Sequence, residues 1–478
     1  MQAMVQINRR TLLAGLAAPF VHTPSRTARR RINVVKFMTD DHGAWALGAY
    51  GCTEMRTPNL DALAAAGARF DRAYACTPVC SPSRLTYMTG RLPSTHGVQD
   101  WLMPPDSFGA GSRHWLRGHT TYAEVLASAG YTLGMCGKWH MGRDEEAQFG
   151  FSYWASVPGG GGSYKDPEFV KNGTRSRIPG FKTDIVGDCA LEFLERQRGK
   201  SQPFYLLVPF YAPHTPYDFQ PEEYRTPYAR SGFSCFPRTE MHRSQNKGLA
   251  SHHDNIESMR SYSALVTAAD ANVGRVLRRL EEMGVRGDTL VIFTADQGYN
   301  TGHHGVWGKG NGTWPFNMYE ESVRVPLIWN HPGRIRAGQL VRPLVSSYDF
   351  FPSILEYLGV RAKPDARRVG ASYAGLLLGG PPPPRGRLYF EYSYVRAVRT
   401  ENLKLIVRTK EWPGEFYDLE VDPGETANLI NHPARQEQIA SLRADLERFF
   451  AGAGAPPLEQ WRSTTSQQLQ TYESVGLQ

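Results

Sequence analysis

The stretch CTPVCSPSRLTYMTGR, residues 76–91, puts a cysteine, a proline and an arginine at the start of one helix. Pro82 follows Cys80 by two residues and suits a first helical turn, where its missing N–H would have no partner anyway, and Ser81 is expected to cap that turn. The free N–H groups and positive end of the helix then face an anion lying over residue 80. Arg84 comes four residues after Cys80, one helical turn, so both share a face and the guanidinium stands beside the cysteine. Gly90 follows ten residues after Cys80.

Four short apolar runs around this stretch read as buried strands, and each ends on polar chemistry. Residues 32–38 (INVVKFM) run into Asp40 and Asp41, and residues 289–294 (TLVIFT) run into Asp296, Gln297 and Gly298. Residues 203–210 (PFYLLVPF) lead to His214 in YAPHTP, and residues 131–136 (YTLGMC) lead to Lys138 and His140 in GKWHMG. Ligands of open α/β sheets bind beyond the carboxyl ends of the strands, so the four runs point to one site.

Asp40, Asp41 and Asp296 are hard oxygen ligands, and Gln297 adds a neutral carbonyl. Three carboxylates held together repel and carry raised pKa values unless a cation sits among them. An all-oxygen set favours Ca²⁺ or Mg²⁺ over zinc.

These motifs resemble those of the formylglycine-dependent (type I) sulfatases, arylsulfatase-like members of the alkaline phosphatase superfamily. RTPNLDALAAAGARF (56–70), YEESVRVPLI (319–328) and FYDLEVDPGETANL (416–429) extend the resemblance over most of the chain. It implies an α/β fold: a large, mixed, mostly parallel sheet sandwiched by helices, with a smaller C-terminal α+β part on an antiparallel sheet. It implies that a formylglycine-generating enzyme oxidises Cys80 to an aldehyde. The hydrated aldehyde, a gem-diol, would attack sulfur, form a covalent sulfoenzyme and release inorganic sulfate.

The same resemblance puts Ca²⁺, with Mg²⁺ as the alternative, on Asp40, Asp41, Asp296, Gln297 and the modified residue 80. Gln297 departs from the more usual asparagine. Lys138 and Lys309 would hold the sulfate oxygens, His140 the diol, and His214 the leaving oxygen as general acid with Lys309 nearby. With Cys80 and Arg84 these form the expected catalytic set. His96, in GRLPSTHGV, also matches the pattern, either at the substrate or orienting its neighbours.

Residues 1–31 read as a twin-arginine export signal and linker, because NRRTLLAGLAAPFV sets two arginines before an apolar stretch too short to span a membrane. The expected product is exported, periplasmic or secreted, and has no integral membrane span. The leader holds six arginines and no lysine or acid, and its removal lowers the formal charge from +8 to +2. A nearly neutral enzyme gives no electrostatic case for nucleic acid as a partner.

The catalytic part is expected over residues 32–378 and the C-terminal part over 379–478, with the seam at GGPPPPRGR, 379–387. Beyond the seam, strands are expected near 388–394, 397–399, 404–407 and 415–419. An amphipathic helix over 256–283 is expected to cover the main sheet through Leu265, Val266, Val273, Val276, Leu277 and Leu280. Of six cysteines, five remain once Cys80 is set aside, and no full disulfide framework follows from an odd set.

Residues 299–321, rich in aromatics, glycine and histidine, suggest rings that stack on a sugar, so a sulfated carbohydrate or small molecule is the expected substrate. The glycine run 159–162 reads as a mobile rim without an assigned role. Two alternatives stand beside the sulfatase reading. One is a phosphonate monoester or phosphodiester hydrolase of the same superfamily, against which position 297 counts, because it carries Gln where a metal-site histidine is usual. The other is a non-catalytic homologue that binds sulfated glycans.

Overall fold

The computed structural model describes residues 31–383, 386–409 and 412–460. The expected leader up to Arg30, and Pro384 and Arg385 of the seam, lie outside the described residues.

All four apolar runs are strands, displaced by no more than one residue at either end: β1 (Asn33–Thr39), β3 (Thr132–Gly137), β7 (Phe204–Pro209) and β8 (Thr289–Ala295). They lie side by side and parallel in the centre of a ten-stranded sheet. Its flanks are β2 (Ala68–Phe70), β4 (Phe151–Ser156), β5 (Glu168–Lys171), β6 (Thr174–Arg177), β9 (Leu327–Asn330) and β10 (Gln339–Val341), in the order β10-β2-β9-β8-β1-β7-β3-β4-β5-β6. The β2–β9, β8–β9, β4–β5 and β5–β6 pairs are antiparallel, which makes the sheet mixed.

Alternation along β1 and β8 sends Val35, Phe37, Val291 and Phe293 to one face and Val34, Met38, Leu290 and Ile292 to the other. A sheet apolar on both faces must be covered on both. The first face meets α1 (Pro58–Ala65), α3 (Lys182–Gln197) and α4 (Ile256–Glu282); the second meets α2 (Cys80–Thr89) and α5 (Phe350–Leu358). Helix α4 ends one residue before the expected boundary, and Asn255 caps its start by accepting from the N–H groups of Glu257 and Ser258. Its predicted apolar residues are buried except Leu277, which is half-buried. Each fully buried aliphatic contributes about 1.5–3 kcal/mol relative to exposure.

The four expected C-terminal strands form a separate antiparallel sheet: β11 (Arg387–Tyr392), β12 (Val395–Thr400), β13 (Leu403–Arg408) and β14 (Glu415–Asp418). Helix α6 (Gln436–Gly452) packs on it through Leu442, Leu446 and Phe450. The same apolar cluster contains Val79 and Cys80, so the small sheet packs behind the start of α2. Among the described residues no helix is long and apolar enough to cross a membrane.

Candidate active site

Strand register brings the acidic groups together. Thr39 of β1 lies opposite Ala295 of β8, so Asp40 and Asp296 leave adjacent strand ends, and the Asp296 N–H donates to the Thr39 carbonyl at 3.0 Å. On the other side, the Asp40 N–H donates to the Ala212 carbonyl at 3.2 Å and the Lys138 N–H to that of Pro209 at 2.7 Å. The chain ends of β1, β3, β7 and β8 thus converge on one cavity of about 430 Å³, lined by Asp41, Cys80, Lys138, His140, His214 and Lys309 among others.

Cys80 is the first residue of α2 and is buried. Ser81 does not cap the helix. Val79 occupies the cap position without a side-chain bond, and the Ser81 hydroxyl instead accepts from the Leu102 N–H at 3.0 Å. The turn is stabilised by packing, which lets the serine hold the neighbouring loop. Gly90 closes the helix at φ 69°, in the left-handed region that favours glycine. Burial pushes the Cys80 thiol up, Lys138 and Lys309 pull it down, and Asp40 and Asp296 raise it again.

Arg84 comes onto the Cys80 side as expected, but its guanidinium is committed to the acids. Nε donates to Asp296 Oδ2 at 2.8 Å and Nη1 to the Lys138 carbonyl at 2.6 Å, while Nη2 lies in ion-pair range of Asp296 Oδ2 at 2.7 Å and of Asp40 Oδ2 at 3.7 Å without a hydrogen bond. Lys138 pairs with Asp40, and Lys309 pairs with Asp41 at 2.6 Å. Three cations therefore already stand among the three carboxylates, whereas the resemblance implies sulfate oxygens as the partners of Lys138 and Lys309. Burial works to raise the Asp40 carboxyl, but Lys138, His214, Lys309 and Arg84 hold it well below the carboxylate range. Asp296, raised by burial and by the Asp40 charge, is pushed up to about 7.

Gln297 Nε2 donates to Asp40 Oδ1 at 3.1 Å and to Asp41 Oδ1 at 2.6 Å, while its Oε1 is buried without a hydrogen-bond partner. Exchanging the amide oxygen and nitrogen would turn that acceptor toward the acids. The orphaned oxygen, the raised Asp296 and the all-oxygen donor set fit a hard divalent cation.

His140 Nε2 donates to the Leu102 carbonyl at 2.8 Å, which leaves Nδ1 as a lone-pair nitrogen, buried and unpartnered. Burial and Lys138 hold this ring well below the usual histidine value, so it is neutral. His214 Nδ1 donates to the Thr215 carbonyl, and Nε2 stands 3.5 Å from Asp41 Oδ2. Its ring stacks on Tyr211 with centroids 4.8 Å apart. Burial lowers its pKa, against the pull of Asp41 and Asp40. His96 is outside the cavity: its Nε2 lies 3.3 Å from the Thr86 hydroxyl and its Nδ1 accepts from the Val98 N–H, so it braces α2.

Most rings of the loop 299–321 turn away from the cavity. Trp307 is fully buried, Phe316 and Tyr319 nearly so, and from this loop only Tyr299, Lys309 and Asn311 line the cavity. The tryptophan at the cavity is Trp101, joined by Asn246 and Leu249, none of which a local pattern marked. Asn246 and Leu249 belong to an excursion between β7 and α4 that Cys235 ties to Cys52 through a disulfide, a bond that cysteine number did not reveal.

The sulfatase family profile matches residues 32–360, and the C-terminal profile of N-sulphoglucosamine sulphohydrolase matches residues 302–451. An N-acetylglucosamine-6-O-sulfatase of Bacteroides thetaiotaomicron is 28% identical over 539 residues, covering 94% of this chain and 92% of its own. Human arylsulfatase A is 30% identical over 510 residues, covering 92% and 91%. A solved structure of a protein in complex with its substrate D-glucosamine-2-N,6-O-disulfate superposes with a TM-score of 0.77 at 27% identity, over 90% of this chain and 100% of that one. With a profile match from β1 past α5, relatives aligned nearly end to end and one cavity at the ends of the central strands, the chain belongs to the sulfatase family of the alkaline phosphatase superfamily, enzymes that hydrolyse sulfate esters.

Proposed function

We propose that the protein releases inorganic sulfate from a sulfated carbohydrate, with formylglycine at position 80 and Ca²⁺ held by Asp40, Asp41, Asp296 and Gln297. The observation that carries this reading is the set of three cations and three carboxylates around the buried first residue of α2, at one cavity. Formylglycine would supply a hydrated aldehyde as nucleophile, and a divalent cation would favour its ionised form.

The chain's own groups do the rest. Lys138 and Lys309 line the cavity, where each would stabilise charge on an anion's oxygens by a few kcal/mol in a site shielded from water. The Nδ1 lone pair of neutral His140 can accept a proton, with Nε2–H held on Leu102. With Nδ1–H of His214 held on Thr215, its Nε2 can give a proton to a departing alkoxide when the ring is the imidazolium, the form that Asp41 at 3.5 Å favours, and it is left neutral afterwards. Trp101, Asn246 and Asn311 give the cavity an apolar face and amides suited to a sugar. The named relative and the solved disulfate complex support a sulfated hexosamine as the first substrate to try.

We further hold that the protein is exported by the twin-arginine route. The Cys52–Cys235 disulfide supports an oxidising compartment.

The test is to co-express the chain with a formylglycine-generating enzyme, weigh the tryptic peptide 73–84, and follow sulfate release from glucosamine 6-sulfate beside a matched phosphonate ester. We expect an aldehyde at Cys80, sulfate release that stops on chelation, and slower phosphonate turnover. Hydrolysis by protein with an intact Cys80 thiol would overturn the nucleophile assignment, and faster phosphonate turnover would overturn the substrate class.

A further inference from the structure

The glycine run 159–162 is held in place. It follows β4, and Gly159, Gly160 and Gly161 line the cavity. Gly160 has φ 65°, and a Cβ built there would stand 2.5 Å from Cγ of His140, so this backbone lies directly against the imidazole. The run is anchored from below by Lys182, the first residue of α3. Its Nζ donates to the carbonyls of Gly161 at 2.9 Å and Gly162 at 2.6 Å.

Lys182 is 1% exposed, and among the described residues no carboxylate forms an ion pair with it. Instead, the ammonium lies 4.0 Å from the centroid of Tyr211 and 5.3 Å from that of Tyr164. Tyr211 is the ring on which His214 stacks, and Lys138 lies 5.2 Å from its centroid. A buried lysine whose direct contacts are carbonyls and aromatic faces is costly to place, and burial pushes its pKa down to about 7 against the pull of Asp218; here it touches the supports of both cavity histidines.

We infer that Lys182 is a positioning residue for sulfate-ester hydrolysis: it fixes the glycine run and the Tyr211 ring, and through them the orientation of His140 and His214. The inference rests on the hydrolytic reading of the cavity. It is distinct from substrate binding, because Lys182 itself does not line the cavity. Releasing the run should therefore change the rate of the bound complex more than the affinity for substrate.

The experiment compares wild type, K182M, K182R and G160A in the full chain, with Cys80 conversion measured by peptide mass and folding by thermal melting. K182M is expected to lower kcat about 10–100-fold on both an aryl sulfate and a sugar sulfate, the scale of a small displacement of a catalytic group, with KM changed less than about threefold. K182R, which keeps donors for the two carbonyls, should recover part of that loss. G160A keeps Lys182 but intrudes on His140 and should lower kcat similarly, and adding K182M should cost little more. A K182M kcat within about twofold of wild type overturns the inference, as does a loss confined to KM. If K182M does not fold, wild-type kcat in G160A overturns it instead. A fully converted wild type that releases no sulfate breaks the hydrolytic reading and the inference with it, whereas an active wild type matched by K182M breaks the inference alone.

Discussion

The two sheets bury charge in opposite ways. On the antiparallel sheet, Arg396 pairs with Glu391 at 2.9 Å, Arg408 with Glu415 at 2.6 Å, Arg399 with Glu320 at 3.2 Å, and Lys404 with Glu320 and Glu425 at 3.1 and 2.8 Å. These cations sit within strands; Glu391 and Glu415 tie strand to strand, and Glu320 and Glu425 pin neighbouring segments to the sheet. At the parallel sheet the charges lie beyond the strand ends, where Asp41, Lys138 and Lys309 border the cavity that holds Cys80. Perturbed acidity does not separate the two. Burial raises Glu425 to about 7, with Lys404 opposing, while Lys404 and Arg399 overcome burial to hold Glu320 at about 2, much as Asp296 is raised and Asp40 lowered. What separates them is what the charges surround: at the parallel sheet they stand around Cys80, whereas Arg408, Glu415 and Glu425, although they line a second cavity, are paired within and beside the small sheet.

Asp296→Asn should break the comparison most visibly if it is wrong. The change keeps an acceptor for Arg84 but removes the charge, and turnover should fall about 10²–10³-fold, the scale of losing one electrostatic contact in a closed site, while the melting temperature stays close to wild type. Metal content measured alongside should fall too, and undiminished turnover would remove Asp296 from the machinery. Lys404→Met is the mirror experiment. It takes a partner from Glu320, which keeps Arg399, and leaves Glu425 without its lysine, and should cost about 3–5 kcal/mol in urea unfolding with kcat per folded molecule unchanged. Loss of turnover at full stability would instead make the C-terminal cluster a second functional centre.

The smallest effect is a pH dependence. Burial raises the Glu321 carboxyl, but its 2.7 Å bond to His304 and the nearby imidazole charge hold it at about 2. A carboxyl depressed on folding stabilises the protein above its unfolded pKa, and that stability drains away as pH falls from about 4.5 toward 2. Glu321 is a quarter exposed, so the contribution is about 1–3 kcal/mol after screening. The stability gap between wild type and Glu321→Gln should shrink between pH 6 and pH 3, and a constant gap would show that the pair does not titrate as a unit.

Much of this organisation was legible because it is local. A buried parallel strand is a short apolar run, and a polar group directly after it must lie at the sheet's carboxyl edge, which is how Asp40, Asp296, Lys138 and His214 were found. The four antiparallel strands and α4 were read from the same kind of pattern, to within a few residues. What escaped was set by neighbours far away in sequence. Trp101, Asn246 and Lys182 reach the site from a loop, an excursion and a helix start, with no local period to announce them. In the loop 299–321 composition gave ring content but not ring direction, and packing turned Trp307 and Phe316 inward. Lys36 lies within β1 as a buried lysine, 3.9 Å from the centroid of Phe350 and 4.3 Å from that of Tyr87, and only the folded aromatic faces make such a position tolerable.

The pairs Lys138–Asp40, Lys309–Asp41 and Arg84–Asp296 have one more implication. Lys138 and Lys309 are each shared between an acid and the cavity, whereas Arg84 does not border it, so an anion that draws the two lysines toward itself would leave Asp40 and Asp41 freer to hold a cation, and the reverse is equally true. Thermodynamic reciprocity makes the two effects the same factor. With the proposed cation bound, affinity for the anion would therefore depend on the activity of the cation.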